Sequence, residues 1–313
     1  MRVVFMGTPE IATGCLQKLI DNNYDIVGVV TQPDKPQNRG KKLGMPPVKE
    51  LAIKHDIDVY QPIKARDEKF VNTLKSLNPD IIIVVAFGQI LPKSILEIPP
   101  LGCINVHVSL LPKLRGAAPI NWTIINGDTK TGVTTMYMDE GLDTGDMILT
   151  SEFDLDDEIT AGQLHDIMME EGAKTLIETL ELIKENKAPR IPQNHDEMTY
   201  APMMKKSLGD INWTKPATEI HNLVRGVNPW PGAYTSYNEV VMKVLKTKVV
   251  DKDCDKEAGT IMNVDSEGIL VSTGSKMILI KEIQMPGKKK VEVKEYIKGN
   301  KIEKDILLKQ STN

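Results

Sequence analysis

Three polar residues in the middle of the chain have side chains suited to the transfer of an acyl group to an amine. Asn105 and His107 stand two positions apart in an apolar, β-branched run from Cys103 to Val108. This run predicts a strand, and because side chains on a strand alternate between its two faces, the amide and the imidazole point the same way. Asp143 follows in the glycine-bracketed turn 141–145, where its carboxylate can be held close to the imidazole.

An amide, an imidazole and a carboxylate can catalyse acyl transfer without a nucleophilic side chain. When an amine attacks a carbonyl carbon, the carbonyl oxygen becomes an oxyanion, which the Asn105 amide and a protonated His107 would stabilise. Asp143 can orient the imidazole and can accept the proton of the amine, directly or through water. The same pattern also fits a plain structural role, with Asn105 and His107 hydrogen-bonded within a sheet and Asp143 as an ordinary turn residue.

The composition is that of a soluble chain with about two domains. Its 313 residues can bury a sizeable core, and no run approaches the roughly 18 consecutive apolar residues of a membrane span. The first residues lead directly into a strand pattern and not into a signal peptide, so we expect a cytoplasmic protein. The three cysteines and five histidines show no ligand spacing, so neither a disulfide framework nor a metal site is expected.

Predicted strands and helices alternate in the amino-terminal half. A strand at Val3–Met6 turns into a helix with Thr8 as its N-cap and Pro9 at its first position, and a second strand follows at Ile26–Val30. The strand at Asp80–Ala86 is apolar on consecutive residues, as in a parallel strand covered on both faces. This alternation predicts an α/β, Rossmann-like domain with a mostly parallel sheet. The first turn lacks the G-x-G-x-x-G pattern, which argues against a nicotinamide-dependent dehydrogenase.

The character of the chain changes near Ser207. Short predicted strands with glycine turns follow one helix at Ala217–Arg225, a pattern typical of a small β-barrel or sandwich. We therefore expect a catalytic domain at 1–189, a linker at 190–206 and a smaller domain at 207–313. From Ser207 onward there are 17 lysines and arginines against 14 acidic residues, a net charge of +3, whereas the preceding part has a net charge of −7. A basic carboxyl-terminal part permits a polyanionic partner such as RNA.

Two basic segments are candidates for contact with phosphate groups. The segment Thr31–Pro47 is far longer than the usual connection of about 4 to 6 residues, and it carries Arg39, Lys41 and Lys42. Lys288–Lys290 form a second cluster. Each is also compatible with a solvated surface loop or hairpin tip.

The motifs of the central region resemble those of a known family. The run from Asn105 to Pro112, followed by Arg115–Pro119 and Gly141–Asp146, resembles the folate-dependent formyltransferases, and among them the members that formylate methionyl-tRNA. The resemblance extends over the whole chain. It implies a Rossmann-like domain followed by an OB-like barrel that binds tRNA, with the amide, imidazole and carboxylate described above as the catalytic groups.

The resemblance also implies the substrates and their contacts. The co-substrate would be 10-formyltetrahydrofolate and the acceptor would be initiator methionyl-tRNA. We also expect the chain to act as a monomer without a metal or membrane contact. Arg39, Lys41 and Lys42 would meet the acceptor end of the tRNA. The residues expected against the tetrahydrofolate are Phe87, Gln89, Ile90, Leu91, Ser109, Leu110, Leu111, Pro112, Met138 and Asp139. Phe87 and Leu91 are also suited to a plain turn whose side chains pack in the core.

Other functions compete with this interpretation. The acceptor could instead be a free amine on a sugar nucleotide or a purine precursor, since such relatives share the same three catalytic groups. A nucleic-acid-binding module on an inactive α/β domain is a second alternative, although all three candidate positions are intact. Asp143-Thr-Gly145 also resembles the aspartic-protease signature, but that chemistry needs a second carboxylate and an all-β chain.

Overall fold

The computed structural model describes residues 1–37 and 42–311. Up to residue 201 the strands are β1 (Arg2–Gly7), β2 (Asp25–Val30), β3 (Lys35–Gln37), β4 (Lys42–Gly44), β5 (Val59–Tyr60), β6 (Ile81–Val85), β7 (Cys103–His107), β8 (Arg115–Gly116), β9 (Lys130–Tyr137), β10 (Met147–Asp154) and β11 (Tyr200–Ala201). The helices of this part are α1 (Ile11–Asp21), α2 (Pro47–Lys54), α3 (Glu68–Leu77), α4 (Lys93–Leu96), α5 (Pro119–Asn126) and α6 (Ala161–Lys184).

A seven-stranded sheet forms the centre of the amino-terminal unit. Its strand order is β10-β9-β7-β6-β1-β2-β5. Strands β5, β2, β1, β6 and β7 run parallel, whereas β9 and β10 are antiparallel to their neighbours. Every residue of β6 and β7 is buried, as expected for strands covered on both faces. The predicted Rossmann-like, mostly parallel sheet is confirmed.

The register of the sheet fixes the neighbours of the two candidate residues on β7. Asn105 pairs with Val84 of β6 on one side and with Met136 of β9 on the other. His107 pairs with Thr134 of β9. Both residues therefore lie toward the carboxyl end of a central strand, the edge at which parallel sheets bind their ligands.

The N-cap prediction for Thr8 is wrong. Helix α1 starts at Ile11, and its cap residue is Glu10. The hydroxyl of Thr8 instead accepts a hydrogen bond from the main-chain N–H of Gln32 at 3.2 Å and donates one to the carbonyl of Phe87 at 3.0 Å. These contacts join the loops after β1, β2 and β6, so Thr8 shapes the carboxyl edge of the sheet and does not cap a helix.

The long basic segment is not a loop throughout. Strands β3 and β4 pair antiparallel within it, and its base is fastened by Lys49, whose Nζ lies 2.7 Å from a carboxylate oxygen of Asp34. Gln61 donates to the other Asp34 oxygen at 2.8 Å, and the hydrogen bonds from Lys49 and Gln61 lower the pKa of Asp34. Arg39 and Lys41 lie outside the described residues, and only the main chain of Lys42 is described.

The carboxyl-terminal part is a barrel-like antiparallel sheet. Its strands are β12 (Ala233–Tyr237), β13 (Val240–Val250), β14 (Ile261–Asp265), β15 (Gly268–Ser272), β16 (Met277–Gln284) and β17 (Val291–Glu292), with helices α7 (Ala217–Gly226) and α8 (Val293–Tyr296). The strand order is β12-β13-β16-β15-β14. The last residues close the sheet, because Leu307 bridges to Thr260 and Lys309 bridges to Ser236 of β12. The expected smaller barrel domain is confirmed.

Close contacts divide the chain into two compact units that do not follow the chain order throughout. The first contains residues 1–116, 130–154 and 165–201, and the second contains 117–129, 155–164 and the residues from Pro202 onward. The domain limits expected from the sequence, at residues 189 and 207, remain a prediction.

The described residues hold no cluster of three or more metal-ligating side chains. No helix within 1–37 and 42–311 is long and apolar enough to cross a membrane.

The three thiols differ in their burial, which predicts their reactivity. Cys15 and Cys103 are buried, and burial raises the pKa of each thiol to about 12, whereas Cys254 is partly exposed. Because the thiolate is the reactive form, we expect a thiol reagent at about pH 8 to modify Cys254 in the native chain and all three thiols in denaturant. Rapid modification of a Cys254→Ser variant under native conditions would contradict this burial.

Candidate active site

The structure brings Asn105, His107 and Asp143 together. The side-chain nitrogen of Asn105 lies 3.4 Å from one carboxylate oxygen of Asp143, and Nδ1 of His107 lies 3.8 Å from the other. Asn105 is 8% exposed and His107 6% exposed. Alternation along β7 turns both side chains toward the same carboxylate, and the shielding from water strengthens the electrostatic interactions among the three groups.

A main-chain carbonyl fixes the orientation of the His107 ring. Nε2 of His107 lies 3.0 Å from the carbonyl oxygen of Leu114. A carbonyl oxygen only accepts hydrogen bonds, so Nε2 carries a hydrogen and Nδ1 is the nitrogen that faces Asp143. The 3.8 Å separation between Nδ1 and the carboxylate is longer than a direct hydrogen bond. The ring and the carboxylate therefore lie close together without a direct hydrogen bond between them.

The carboxylate of Asp143 is held by the main chain of the segment after Leu114. The N–H of Gly116 donates to Oδ2 of Asp143 at 2.8 Å. Asp143 has a φ of 53°, in the left-handed region that aspartate tolerates better than most residues. This conformation, within a glycine-bracketed turn, directs the carboxylate back toward β7.

Leu114 has the same unusual conformation, with a φ of 58°. A leucine in this region costs roughly 1 kcal/mol or more, so the surrounding structure must hold it there. Its N–H donates to the hydroxyl of Thr199 at 2.9 Å, and β8 directly after it pairs in parallel with β11. Through Leu114 and Gly116, this short pairing positions both main-chain groups that contact His107 and Asp143.

Comparison with known proteins assigns the chain to a family. A model of formyl transferases matches residues 1–180, and a model of the formyl transferase C-terminal domain matches residues 203–301. The chain belongs to the formyl transferase family. It is 70% identical to a methionyl-tRNA formyltransferase of Clostridioides difficile over 308 residues, which is 98% of this chain and 100% of the relative. A methionyl-tRNA formyltransferase of Alkaliphilus oremlandii is 54% identical, over 98% of this chain and 99% of its own.

Solved structures of other formyl transferases share the fold. A sugar 3N-formyl transferase, crystallised in the presence of dTDP and 5-N-formyl-THF, matches with a TM-score of 0.67 and 20% identity, over 92% of this chain and 99% of its own. An N-formyltransferase from Helicobacter canadensis, in complex with folinic acid and dTDP-3-aminofucose, matches with a TM-score of 0.65 and 21% identity, over 89% and 98%. The resemblance to the formyltransferases noted in the sequence is confirmed.

In this formyl transferase the segment after β7 is fastened to β9. The hydroxyl of Thr134 donates to the carbonyl of Ser109 at 2.7 Å and accepts from the N–H of Leu111 at 3.2 Å. The side chains of Ser109 and Leu111 are buried, and the Ser109 hydroxyl donates to the carbonyl of Lys113. Leu110 and Pro112 are partly exposed. A folate contact by these four residues remains a prediction, and Leu110 and Pro112 have the side chains accessible to a ligand.

The segment from Phe87 to Leu91 also contains both buried and exposed side chains. The side chains of Phe87 and Leu91 are buried in the core, and the carbonyl of Phe87 accepts from Thr8. The Gln89 side-chain oxygen accepts from the N–H of Ala65 at 2.7 Å, so this side chain fastens two loops together. Ile90 is 80% exposed. Of these predicted folate contacts, only Ile90 presents a large apolar side chain to solvent.

Met138 and Asp139 lie at the start of the turn that carries the candidate carboxylate. The carboxylate of Asp139 accepts from the N–H of Gly141 at 3.0 Å and from the hydroxyl of Thr144 at 2.6 Å, which shapes the turn. Both residues also line an open cavity of about 480 Å³, together with Glu140 and Gly141 and with Lys93, Leu96 and Glu97 around α4. Their contact with a folate remains a prediction, which this cavity supports.

Two groups of residues at the site carry no obvious signal in the sequence. Leu114 and Gly116 act through main-chain atoms, which any residue type supplies. Gln193 lies about fifty positions after Asp143, yet its side-chain nitrogen donates to the carbonyl of Asp143 at 2.9 Å. Arg115, a residue of the family-like motif, is buried beside Gln193 and does not face solvent.

Substitution of Gly116 tests the main-chain hold on Asp143. Gly116 has a φ of 116°, and a Cβ on it would lie 2.6 Å from the ring of Tyr200 and 2.8 Å from the carbonyl oxygen of Ala201. We expect Gly116→Ala to lower the free energy of unfolding by about 2 kcal/mol and to reduce formyl transfer, because the N–H that binds Asp143 must move. Gly299 is the matched control, since nothing lies within 4 Å of a Cβ placed on it. Equal melting temperatures and activities for the two alanine variants would contradict this description.

Proposed function

We propose that this chain transfers the formyl group of 10-formyltetrahydrofolate to the α-amino group of methionyl-tRNA. The observation that carries the proposal is the meeting of the Asn105 amide, the His107 imidazole and the Asp143 carboxylate at the carboxyl edge of the parallel sheet. That site lies in a chain 70% identical over nearly its whole length to a methionyl-tRNA formyltransferase.

The surroundings of the site suit a flat, largely apolar co-substrate with a polar tail. The large apolar side chains exposed in the amino-terminal unit include Ile63, Ile90 and Leu142, each of which lies on a loop. Leu142 directly precedes Asp143. Ile63 lies beside Gln89, because the side-chain nitrogen of Gln89 is 3.4 Å from the main-chain carbonyl oxygen of Ile63. Exposed apolar side chains next to polar groups are typical of small-molecule sites. The co-substrate supplies the formyl carbon that the amine attacks.

The three side chains divide the charge and proton transfers between them. The Asn105 amide and the Nδ1–H of a His107 ring that carries hydrogen on both nitrogens stabilise the negative charge that develops on the formyl oxygen. Asp143 accepts a proton from the attacking amine while the new carbon–nitrogen bond forms, and it passes this proton to the folate nitrogen as the bond between that nitrogen and the formyl carbon breaks. The Gly116 N–H and the Leu114 carbonyl keep the carboxylate and the ring in place. Binding both substrates at one edge supplies the proximity.

An RNA acceptor agrees with the distribution of charge. Arg39, Lys41 and Lys42 follow closely in the sequence after Asp34, which forms an ion pair with Lys49. The carboxyl-terminal part has a net charge of +3 from Ser207 onward. Contacts between lysines or arginines and phosphates supply most of the affinity for a nucleic acid without reading its sequence. We further propose that the chain acts as a monomer in the cytoplasm.

A small amine on a sugar nucleotide is the second candidate acceptor. It rests on the sugar formyl transferases that share this fold, and at 20% and 21% identity they indicate the fold alone. The high identity to methionyl-tRNA formyltransferases favours the tRNA acceptor. A direct assay with 10-formyltetrahydrofolate and either charged initiator tRNA or small amines separates the two, because only the true acceptor becomes formylated at low concentration.

Substitutions at the three side chains test their roles. We expect Asn105→Ala and His107→Ala each to lower kcat for formylation of methionyl-tRNA by about 10² or more, the usual worth of an oxyanion donor. Asp143→Asn keeps an oxygen that can accept from Gly116 but loses the base, and we expect a similar loss. His165→Gln is the control, since His165 lies on α6 and pairs with its neighbour Asp166. Turnover by Asn105→Ala equal to that of the control would refute the assigned role.

The basic segment should govern affinity for tRNA and its dependence on salt. We expect replacement of Arg39, Lys41 and Lys42 by alanine to raise KM for methionyl-tRNA. If each side chain contacts one phosphate, the slope of the logarithm of the tRNA association constant against the logarithm of the salt concentration should fall in magnitude by about 2 to 3. The KM for the folate should not change. The same replacement of Lys288–Lys290 tests the second basic cluster. A triple variant of the segment with unchanged KM and salt slope would exclude it from the tRNA interface.

A further inference from the structure

Arg115 is a buried cation at the edge of the candidate active site. It is only 4% exposed. Its Nε and Nη2 donate to the side-chain oxygen of Gln193 at 3.1 and 2.5 Å, and its two terminal nitrogens lie 3.3 and 3.2 Å from Nδ1 of His195. Burying a guanidinium is costly unless hydrogen bonds replace its water, and Gln193 and His195 supply these contacts here. The Arg115 side chain is therefore committed to these contacts and is not available to a substrate.

Gln193 connects Arg115 to the turn of the candidate carboxylate. It is 6% exposed, and its side-chain nitrogen donates to the carbonyl oxygens of Asp143 at 2.9 Å and Gly145 at 2.8 Å. Its oxygen accepts twice from Arg115 and its nitrogen donates twice, so both sides of the amide are in use. Guanidinium groups only donate and carbonyl oxygens only accept, which leaves one possible orientation for the amide.

We propose that Gln193 and Arg115 are positioning residues, which hold the Asp143 carboxylate in place for formyl transfer. This inference rests on the proposed function. The two carbonyls that Gln193 binds belong to Asp143 itself and to Gly145, so the amide clamps the main chain on both sides of Thr144. Asp143 must keep its φ of 53° for its carboxylate to face Asn105 and His107. Arg115 in turn prevents the Gln193 amide from rotating. Neither side chain touches the reacting groups, so both act through Asp143.

A pair of substitutions at Gln193 separates positioning from stability. Gln193→Leu removes the hydrogen bonds to Arg115 and to the carbonyls of Asp143 and Gly145. Gln193→Glu keeps the acceptor for Arg115 as an ion pair but turns a carboxylate oxygen toward the two carbonyls, which repel it. We expect both variants to lower kcat by about 10-fold to 100-fold, with KM for methionyl-tRNA and for the folate within about twofold. We expect Gln193→Glu to melt closer to the original chain than Gln193→Leu does, because the glutamate keeps an ion pair with Arg115.

Thr179→Val is the matched control for loss of stability. The hydroxyl of Thr179 is buried in the same unit, where it bonds Thr135 at 2.7 Å and the carbonyl of Thr175 at 2.7 Å, away from Asp143. We expect this variant to melt earlier and to keep its kcat. If kcat follows the melting temperature across Gln193→Leu, Gln193→Glu and Thr179→Val, the role of Gln193 is merely structural and the proposal is overturned.

A double-mutant cycle tests whether Gln193 acts through Asp143. If it does, adding Gln193→Leu to Asp143→Asn lowers kcat by less than about twofold further, because the carboxylate that Gln193 positions is already gone. A multiplicative loss in the double variant overturns the proposal. Different results reject the positioning role and the proposed function. Normal formylation of methionyl-tRNA by Gln193→Leu rejects the positioning role alone. A wild-type chain that formylates no methionyl-tRNA rejects the proposed function.

Discussion

The position of one carboxylate is the constraint on which the site depends. Asp143 has its side chain directed toward an amide and an imidazole on β7 by the N–H of Gly116 and by its own left-handed main chain. A carboxylate rotated outward would leave Asn105 and His107 as two buried polar strand residues without a carboxylate beside them. The amide and the imidazole lie on the same face of β7 because side chains two positions apart on a strand point the same way. The placement of the carboxylate needs contacts from residues far apart in the sequence.

Two residues with a positive φ lie next to the two nitrogens of the His107 ring. Leu114 and Asp143 both have a positive φ, and one contacts the His107 ring while the other faces it. Such conformations persist only where the surrounding structure holds them, and they tend to occur at functional sites. Here the short pairing of β8 with β11 fixes Leu114 and Gly116, and hydrogen bonds to the carbonyls of the turn fix Asp143. The β8–β11 pairing and the hydrogen bonds to the turn thus maintain the geometry of the site.

Much of the fold follows from local sequence patterns, and part of the site does not. The consecutive apolar residues of β6 and the two-residue spacing of Asn105 and His107 predicted the sheet and the shared face, because both depend on strand geometry alone. Thr8 was wrongly predicted as a cap, since its local motif cannot reveal that distant loops compete for its hydroxyl. Main-chain groups such as the Leu114 carbonyl leave no trace in residue types, and Gln193 reaches the turn only through tertiary packing.

The orientation of the His107 ring is the feature that measurement can test most directly. Nitrogen-15 NMR of the chain with labelled histidines, assigned with a His107→Gln variant, reports which ring nitrogen carries hydrogen. Because Nε2 lies 3.0 Å from the Leu114 carbonyl, we predict a hydrogen at Nε2 in the free chain, with Nδ1 toward Asp143. A ring that carries its only hydrogen at Nδ1 would contradict the geometry on which the proposed transfer rests.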